Sequence, residues 1–383
     1  MFTNQGKPSR RFGLFALLTA AAYAVTPASQ AAEPSTMPTQ SAQAASDADG
    51  RLKELIAGAR KEGRLSIVVG EGSFGGSNSP LSKGFNNYYG LNIDVRFTPG
   101  PSMPNMVATV IQQYQARRPA TTDVITGYAN HMTALIAADA VEKIDWASWA
   151  PNIQKPGLTS VNGTAVPIMT STPGIAYNTN VFKGDAIPKT FQDLLDPKLK
   201  GRVVTTPYAS SFDRLATDYM WGKEKTLDFA RKLSAQVGGL MRCNETDRLA
   251  SGEFDVFGLT CSQSNALRPA AKGAPIGFVL ASDAPIVMYL YQAVPATSAH
   301  PNAAKLWINY MLSKEAQKIV YDLDFQDLHL LEGSRTGQLV DELEAKGVKF
   351  LVVDTEFYRN NSAAEMDAVV SEVQGIFRTK QAP

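Results

Sequence analysis

The chain has 383 residues, 44% of them hydrophobic, and a formal net charge of +1, the make-up of an ordinary globular protein. So balanced a charge creates no field to draw nucleic acid, and the sequence carries neither a basic patch nor a zinc-finger spacing, so no nucleic-acid partner is expected. The length exceeds what one hydrophobic core usually fills and suits two domains.

Residues 1–32 carry Lys7, Arg10 and Arg11 without an acid, then an apolar run from Phe12 to Val25, then Ala28-Ser29-Gln30-Ala31-Ala32. This three-part pattern predicts a secretory signal peptide cut after Ala31 or Ala32, and with it an exported protein. The apolar run is shorter than the roughly 20 residues that cross a bilayer. Ser9-Arg10-Arg11 leaves Sec and twin-arginine export both open. Residues 33–50 hold no large hydrophobe except Met37, and a disordered spacer is expected there.

The folded part is predicted to open with a helix over Leu52 to Glu62, stopped by Gly63. A buried strand over Leu65 to Val69 follows. After a glycine-rich loop, Ser79-Pro80 starts a second helix. Asn92 to Phe97 reads as a strand, Ser102 to Arg117 as a helix, Asp123 to Ile125 as a strand and His131 to Ala138 as a helix. Alternating strands and helices predict an α/β fold with helices flanking mixed sheets.

Gly70-x-Gly72-x-x-Gly75 directly after a strand matches a dinucleotide fingerprint, with Asp94 as the ribose acid. The fingerprint needs its helix to start within the motif, whereas Gly75-Gly76-Ser77-Asn78-Ser79-Pro80 delays it. A flexible loop at the carboxyl end of a strand, where α/β sheets place ligands, is the preferred reading. Glu71, Ser73 and Ser77 are its candidate contacts, and a nucleotide-dependent oxidoreductase is the competing one. A hydrolase is disfavoured because Glu71 stands where a nucleophile elbow around Ser73 needs glycine. No catalytic residue, cofactor or enzyme activity is expected.

From Val166 to Val204 the chain reads VPIMTSTPGIAYNTNVFKGDAIPKTFQDLLDPKLKGRVV. Thr190-Phe191-Gln192-Asp193 forms a capping box before a short helix that Asp196-Pro197 stops. This passage resembles the solute-binding proteins of bacterial ABC importers, in the two-lobed branch that takes ferric iron or polyamines. The turn around Gly252-Glu253 and the helices after Pro301 and Ser313 match the same family. The resemblance implies a type II periplasmic binding protein, with two α/β lobes joined by hinge crossings near Ile168 to Gly174 and near Ser282 to Pro285. It places lobe 1 at residues 51–170 plus 284–383 and lobe 2 at 171–283. It further implies a monomer that closes on a small-molecule solute and docks on the permease subunits of an ABC transporter in the inner membrane.

In the second lobe, Ser210-Ser211-Phe212-Asp213 reads as another capping box, opening a helix whose free amides suit an acid. Helix Lys223 to Ala235 and strand Gly238 to Met241 lead to Cys243, and strand Asp255 to Leu259 leads to Cys261. In an exported protein these two cysteines are expected to bond. The family's ferric members carry adjacent tyrosines after the latter strand. This chain has Thr260-Cys261-Ser262-Gln263-Ser264-Asn265, and neutral groups cannot replace phenolates around ferric iron. Tyr289 and Tyr291 are read as facing opposite sides of their strand, unable to share one ion. No metal site is expected, although a ferric-iron protein of the same family is an alternative. The solute contacts expected beyond the first loop are Tyr128, Thr170, Ser171, Thr172, Tyr208, Ser210, Ser211, Cys261, Ser262 and Asp283, for an acidic or zwitterionic solute. A strand over Lys349 to Val353 and a helix over Ala363 to Arg378 close the chain, the helix packed on the first lobe.

Overall fold

The computed structural model describes residues 40–69, 73–154, 157–159 and 161–378. Contacts divide the chain into two units, Met1–Gln43 and Ala44–Pro383, and the architecture below, apart from the first residues of the opening helix, belongs to the second. The expected signal peptide lies outside the described residues, as does the expected spacer up to residue 39.

The chain starts with α1 (Gln40–Glu62), which takes in residues 40–50 of the expected spacer. Ala42, Ala44 and Ala45 are strong helix formers, and adding turns to an existing helix is cheap. Next come β1 (Arg64–Val69), α2 (Pro80–Tyr89), β2 (Asp94–Pro99), α3 (Met103–Gln115), β3 (Ile125–Tyr128) and α4 (Ala129–Ala137). Ser79 caps α2 by accepting from the Leu81 amide at 3.2 Å. β4 (Val166–Ser171) leads out of this region to β5 (Ile175–Asn178), β6 (Val203–Thr205), α5 (Phe212–Leu215), α6 (Lys223–Gln236), β7 (Val237–Leu240), α7 (Asp247–Ala250), β8 (Val256–Gly258), α8 (Ser264–Ala270) and β9 (Ile276–Val279). β10 (Ile286–Ala293) brings the chain back. It is followed by α9 (Pro301–Met311), α10 (Lys314–Asp324), α11 (Arg335–Glu344), β11 (Leu351–Val353), α12 (Thr355–Asn360) and α13 (Ala363–Phe377). Among the described residues no helix is long and apolar enough to cross a membrane.

β1 and β2 pair in parallel, with Leu65 opposite Val95, and Val124 bridges to Ile67. β10 is the seam of a second sheet: β4 and β3 run antiparallel to it, and β11 pairs in parallel with its first residues. The third sheet has the order β7-β6-β8-β5-β9. Successive strand residues point to opposite faces, so this sheet carries two cores. Ile175, Val203 and Val256 enter one, while Ala176, Val204 and Phe257 enter the other. Leu65, Ile67, Phe85, Met132, Ile168 and Trp307 belong to a separate core around the first two sheets. The α/β architecture is thus two-lobed, with helices on sheet faces.

The chain passes from the first core at Met169 to the second at Ile175 and returns between Ile286 in the second and Val287 in the first. At the first crossing a Cβ on Gly174 would collide with the Val279 carbonyl oxygen and the Phe278 ring, so glycine lets the two crossing segments approach. A third crossing follows: Phe350 lies in the first core, whereas Leu351 and Val353 lie in the second. α13 therefore packs on α5 and α6 rather than on the first lobe. Its apolar face of Met366, Val369, Val373 and Phe377 meets Phe212, with the Phe212 and Phe377 rings 5.9 Å apart.

Candidate functional site

Among the described residues, eight non-glycine residues have positive φ, and four of them follow β1, β6 and β8: Phe74, Ala209, Ser211 and Leu259. The left-handed region costs energy for such side chains, and its concentration here marks loops held in shape by their surroundings.

Alternation along β4 separates the three hydroxyls of the first crossing. Thr170 and Thr172 serve the frame. Thr170 Oγ1 accepts the His329 amide at 3.0 Å and meets His329 Nδ1 at 2.9 Å. Buried Gln263 accepts from the Thr172 amide and hydroxyl at 2.9 and 3.1 Å and donates to the Thr170 carbonyl at 3.1 Å. Ser171, on the other face, donates its hydroxyl to the Cys261 carbonyl at 3.4 Å. Burial pushes the Tyr128 phenol up, an effect the nearby Ser171 hydroxyl and Arg214 charge partly offset.

Arg214, a residue the sequence reading passed over, lies in this group. Its Nη1 donates to Asp213 at 2.9 Å and its Nη2 to the Tyr358 phenol at 3.2 Å. Burial opposes its charge, but Asp213, Tyr358 and Tyr128 together outweigh this and hold its pKa above the usual arginine value. Its Nε is buried without a hydrogen-bond partner, as is the Ser211 hydroxyl. An unmet buried donor costs about 1–3 kcal/mol, and more when charged.

The expected capping box at Ser210 does not form. The cap of α5 is Ser211, whose side chain accepts no capping hydrogen bond. Its φ of 68° replaces the extended backbone that a capping side chain needs. Asp213 turns to Arg214, and the Ser210 amide donates to Thr206 Oγ1 at 3.0 Å. α5 is only 4 residues long, so its dipole is no anion site.

Cys243 and Cys261 are bonded, with S–S 2.01 Å, so Cys261 offers no thiol to a solute. Tyr208, 41% exposed, accepts the Cys243 amide at 3.0 Å, which ties the loop after β6 to the disulfide. Ser262 spends its hydroxyl on Ser264 at 2.7 Å and its amide on Asn265. Asp283 accepts the Phe191 and Gln192 amides at 2.9 and 3.2 Å, completing the short helix that the Thr190–Asp193 capping box opens. It is a cap, not an open carboxylate. Glu71 lies outside the described residues, and so do the side chains of Ser73 and Ser77.

Tyr289 and Tyr291 do not face apart: their rings stand 5.9 Å from each other in an edge-on contact. Residues two positions apart share a strand face. Both are buried, and burial raises both phenols, with Asp354 adding to the effect. Among the described residues no group of three His, Cys, Asp or Glu side chains could hold a metal ion.

Residues 120–361 match the family of bacterial extracellular solute-binding proteins. The chain is 28% identical over 175 residues to the spermidine/putrescine-binding periplasmic protein 1 of Haemophilus influenzae, covering 43% of this chain and 48% of that one. It thus spans about half the length of the curated relatives it matches. A substrate-binding protein of an ABC transporter from Agrobacterium tumefaciens superposes with a TM-score of 0.64 at 16% identity, over 84% of this chain and 97% of the other. The spermidine/putrescine ABC transporter substrate-binding protein PotD of Streptococcus pneumoniae gives 0.63 at 16% identity, over 83% and 99%. The matched segment runs from before β3 to just past α12, through the crossings and the loops around Arg214, and the chain belongs to the bacterial extracellular solute-binding protein family.

Proposed function

We propose that the protein is the substrate-binding component of an ABC importer. It works in the periplasm as a monomer, takes a small acidic solute between its lobes, closes about the crossings and delivers the solute to the permease. Family membership and the two-lobed fold support the transport role. The acidic cargo rests on one observation: five aspartates of this region are already committed. Asp213 holds Arg214, Asp283 holds two amides, and Asp324 holds Arg268 and the Phe74 amide. Asp327 holds Ser334 and the Arg335 and Thr336 amides, and Asp354 caps α12. A polyamine needs free carboxylates, and ferric iron needs anionic oxygens. The amine of a zwitterion would depend on Glu71, so the acid is the part of that expectation we carry forward.

A melting-temperature screen tests this reading. Saturation at 100 times the dissociation constant adds about 2.7 kcal/mol, or roughly 5–11 °C for domains this large. Organic acids are expected to give such shifts, and spermidine, putrescine and ferric citrate none. A shift confined to the polyamines or to iron would refute the acidic cargo.

A further inference from the structure

We infer that Arg214 is the anchor for the solute's acid, its Nε and the Ser211 hydroxyl together taking one oxyanion. The inference rests on the acidic-cargo reading above and names the residues that would carry it. A guanidinium donates in three directions within one plane. Here two are fixed, Nη1 on Asp213 and Nη2 on Tyr358, which sets the plane and leaves Nε as the donor without a partner. The Ser211 hydroxyl, about one turn earlier, is likewise buried without a partner.

Both stand at the boundary between the lobes. Arg214 and Ser211 belong to the segment after β6. Tyr128, near enough to feel the Arg214 charge, ends β3 and packs on the first core. Tyr358 lies on α12, beyond the third crossing, and packs against both cores. Rotation of the lobes about the crossings therefore uncovers the guanidinium, and closure returns it to a site of low dielectric, where a charge-assisted hydrogen bond is strongest. Asp213 already neutralises one side of the arginine. The site thus suits a single negative charge, a carboxylate, better than a doubly charged phosphate.

The test is calorimetric titration of the full chain at low salt. The probes are mono- and dicarboxylates, inorganic phosphate, sugar phosphates and, as the cation, spermidine. A carboxylate is expected to bind the wild type more tightly than its phosphate analogue. Arg214→Met should weaken it by about 10- to 100-fold, the range of hydrogen bonds to charged groups. Arg214→Lys should fall between the two, because lysine keeps the charge without the fork. Ser211→Ala should weaken binding with its melting temperature unchanged, which guards against an Arg214→Met variant that fails to fold. If an acid binds and neither Arg214→Lys nor Ser211→Ala weakens it, the anchor is wrong while the acidic cargo stands. If spermidine binds and no acid does, both fall. Binding of neither class at millimolar concentration also overturns the anchor, as does a clear preference for phosphate over carboxylate.

Discussion

Ser211 is the position at which a single side chain can report on the site. With φ at 68°, it tolerates the short polar residues that accept left-handed backbone. Ser211→Asp would set a carboxylate one turn from the unpartnered Nε of Arg214, where it supplies the missing acceptor and repels an incoming acid. Loss of acid binding with the melting temperature held or raised is the expected result; unchanged affinity would remove Ser211 from the site. Asp283 makes the opposite kind of prediction. Since it caps two amides, Asp283→Ala should cost about 0.5–2 kcal/mol of stability in urea unfolding and leave solute affinity unchanged. The sequence displayed these candidates as polar residues in loops but could not say which were already engaged. Asp283 finds its amides 92 and 91 positions away, and Tyr358 reaches Arg214 from 144 positions on. Such partners leave no local trace. The separation of Ser171 from Thr170 and Thr172 was available, since strand alternation alone implies it.

Individual elements were legible because their signals are local. Ser79, Ser313 and the Thr190–Asp193 box each cap the helix they were expected to cap. The packing of α13 was not, because an amphipathic face says that a helix packs but not on what. The crossing strand β4 has a similarly remote partner, His329, whose ring stacks on Tyr289 at 5.7 Å while bonded to Thr170. Burial lowers the His329 pKa from 6.5 to about 4, against the opposing pull of Asp341 and Asp327. The unfolded chain then takes up a proton that the folded chain resists. The contribution of His329 is accordingly whole above pH 6.5 and lost as the pH falls towards 4. Melting temperature should decline across that window, and His329→Gln should flatten the decline. Parallel pH profiles for the two proteins would mean that His329 does not control it.

At the scale of the molecule, the proposed closure has a contact that needs no solute. Arg268, on α8 in the second lobe, donates Nη2 to Asp324 at 3.0 Å, on α10 in the first. The other oxygen of Asp324 accepts the amide of Phe74 at 3.2 Å, in the loop after β1. Asp324 is buried, while the Arg268 side chain is 43% exposed. Burial raises the Asp324 carboxyl, and the Phe74 amide and Arg268 work against that rise. Swinging the lobes apart would take Arg268 away and leave the carboxylate with one amide and water. Water and salt screen so exposed an arginine, which keeps the pair to about 1 kcal/mol or less. That is still enough to change the ratio of closed to open forms by about fivefold. Arg268→Gln should therefore increase the open population of the solute-free protein, read as a longer distance between spin labels on the two lobes. High salt should do the same to the wild type and little to the variant. Equal distance distributions for the two proteins at low salt would show that the Arg268–Asp324 pair follows closure without influencing it.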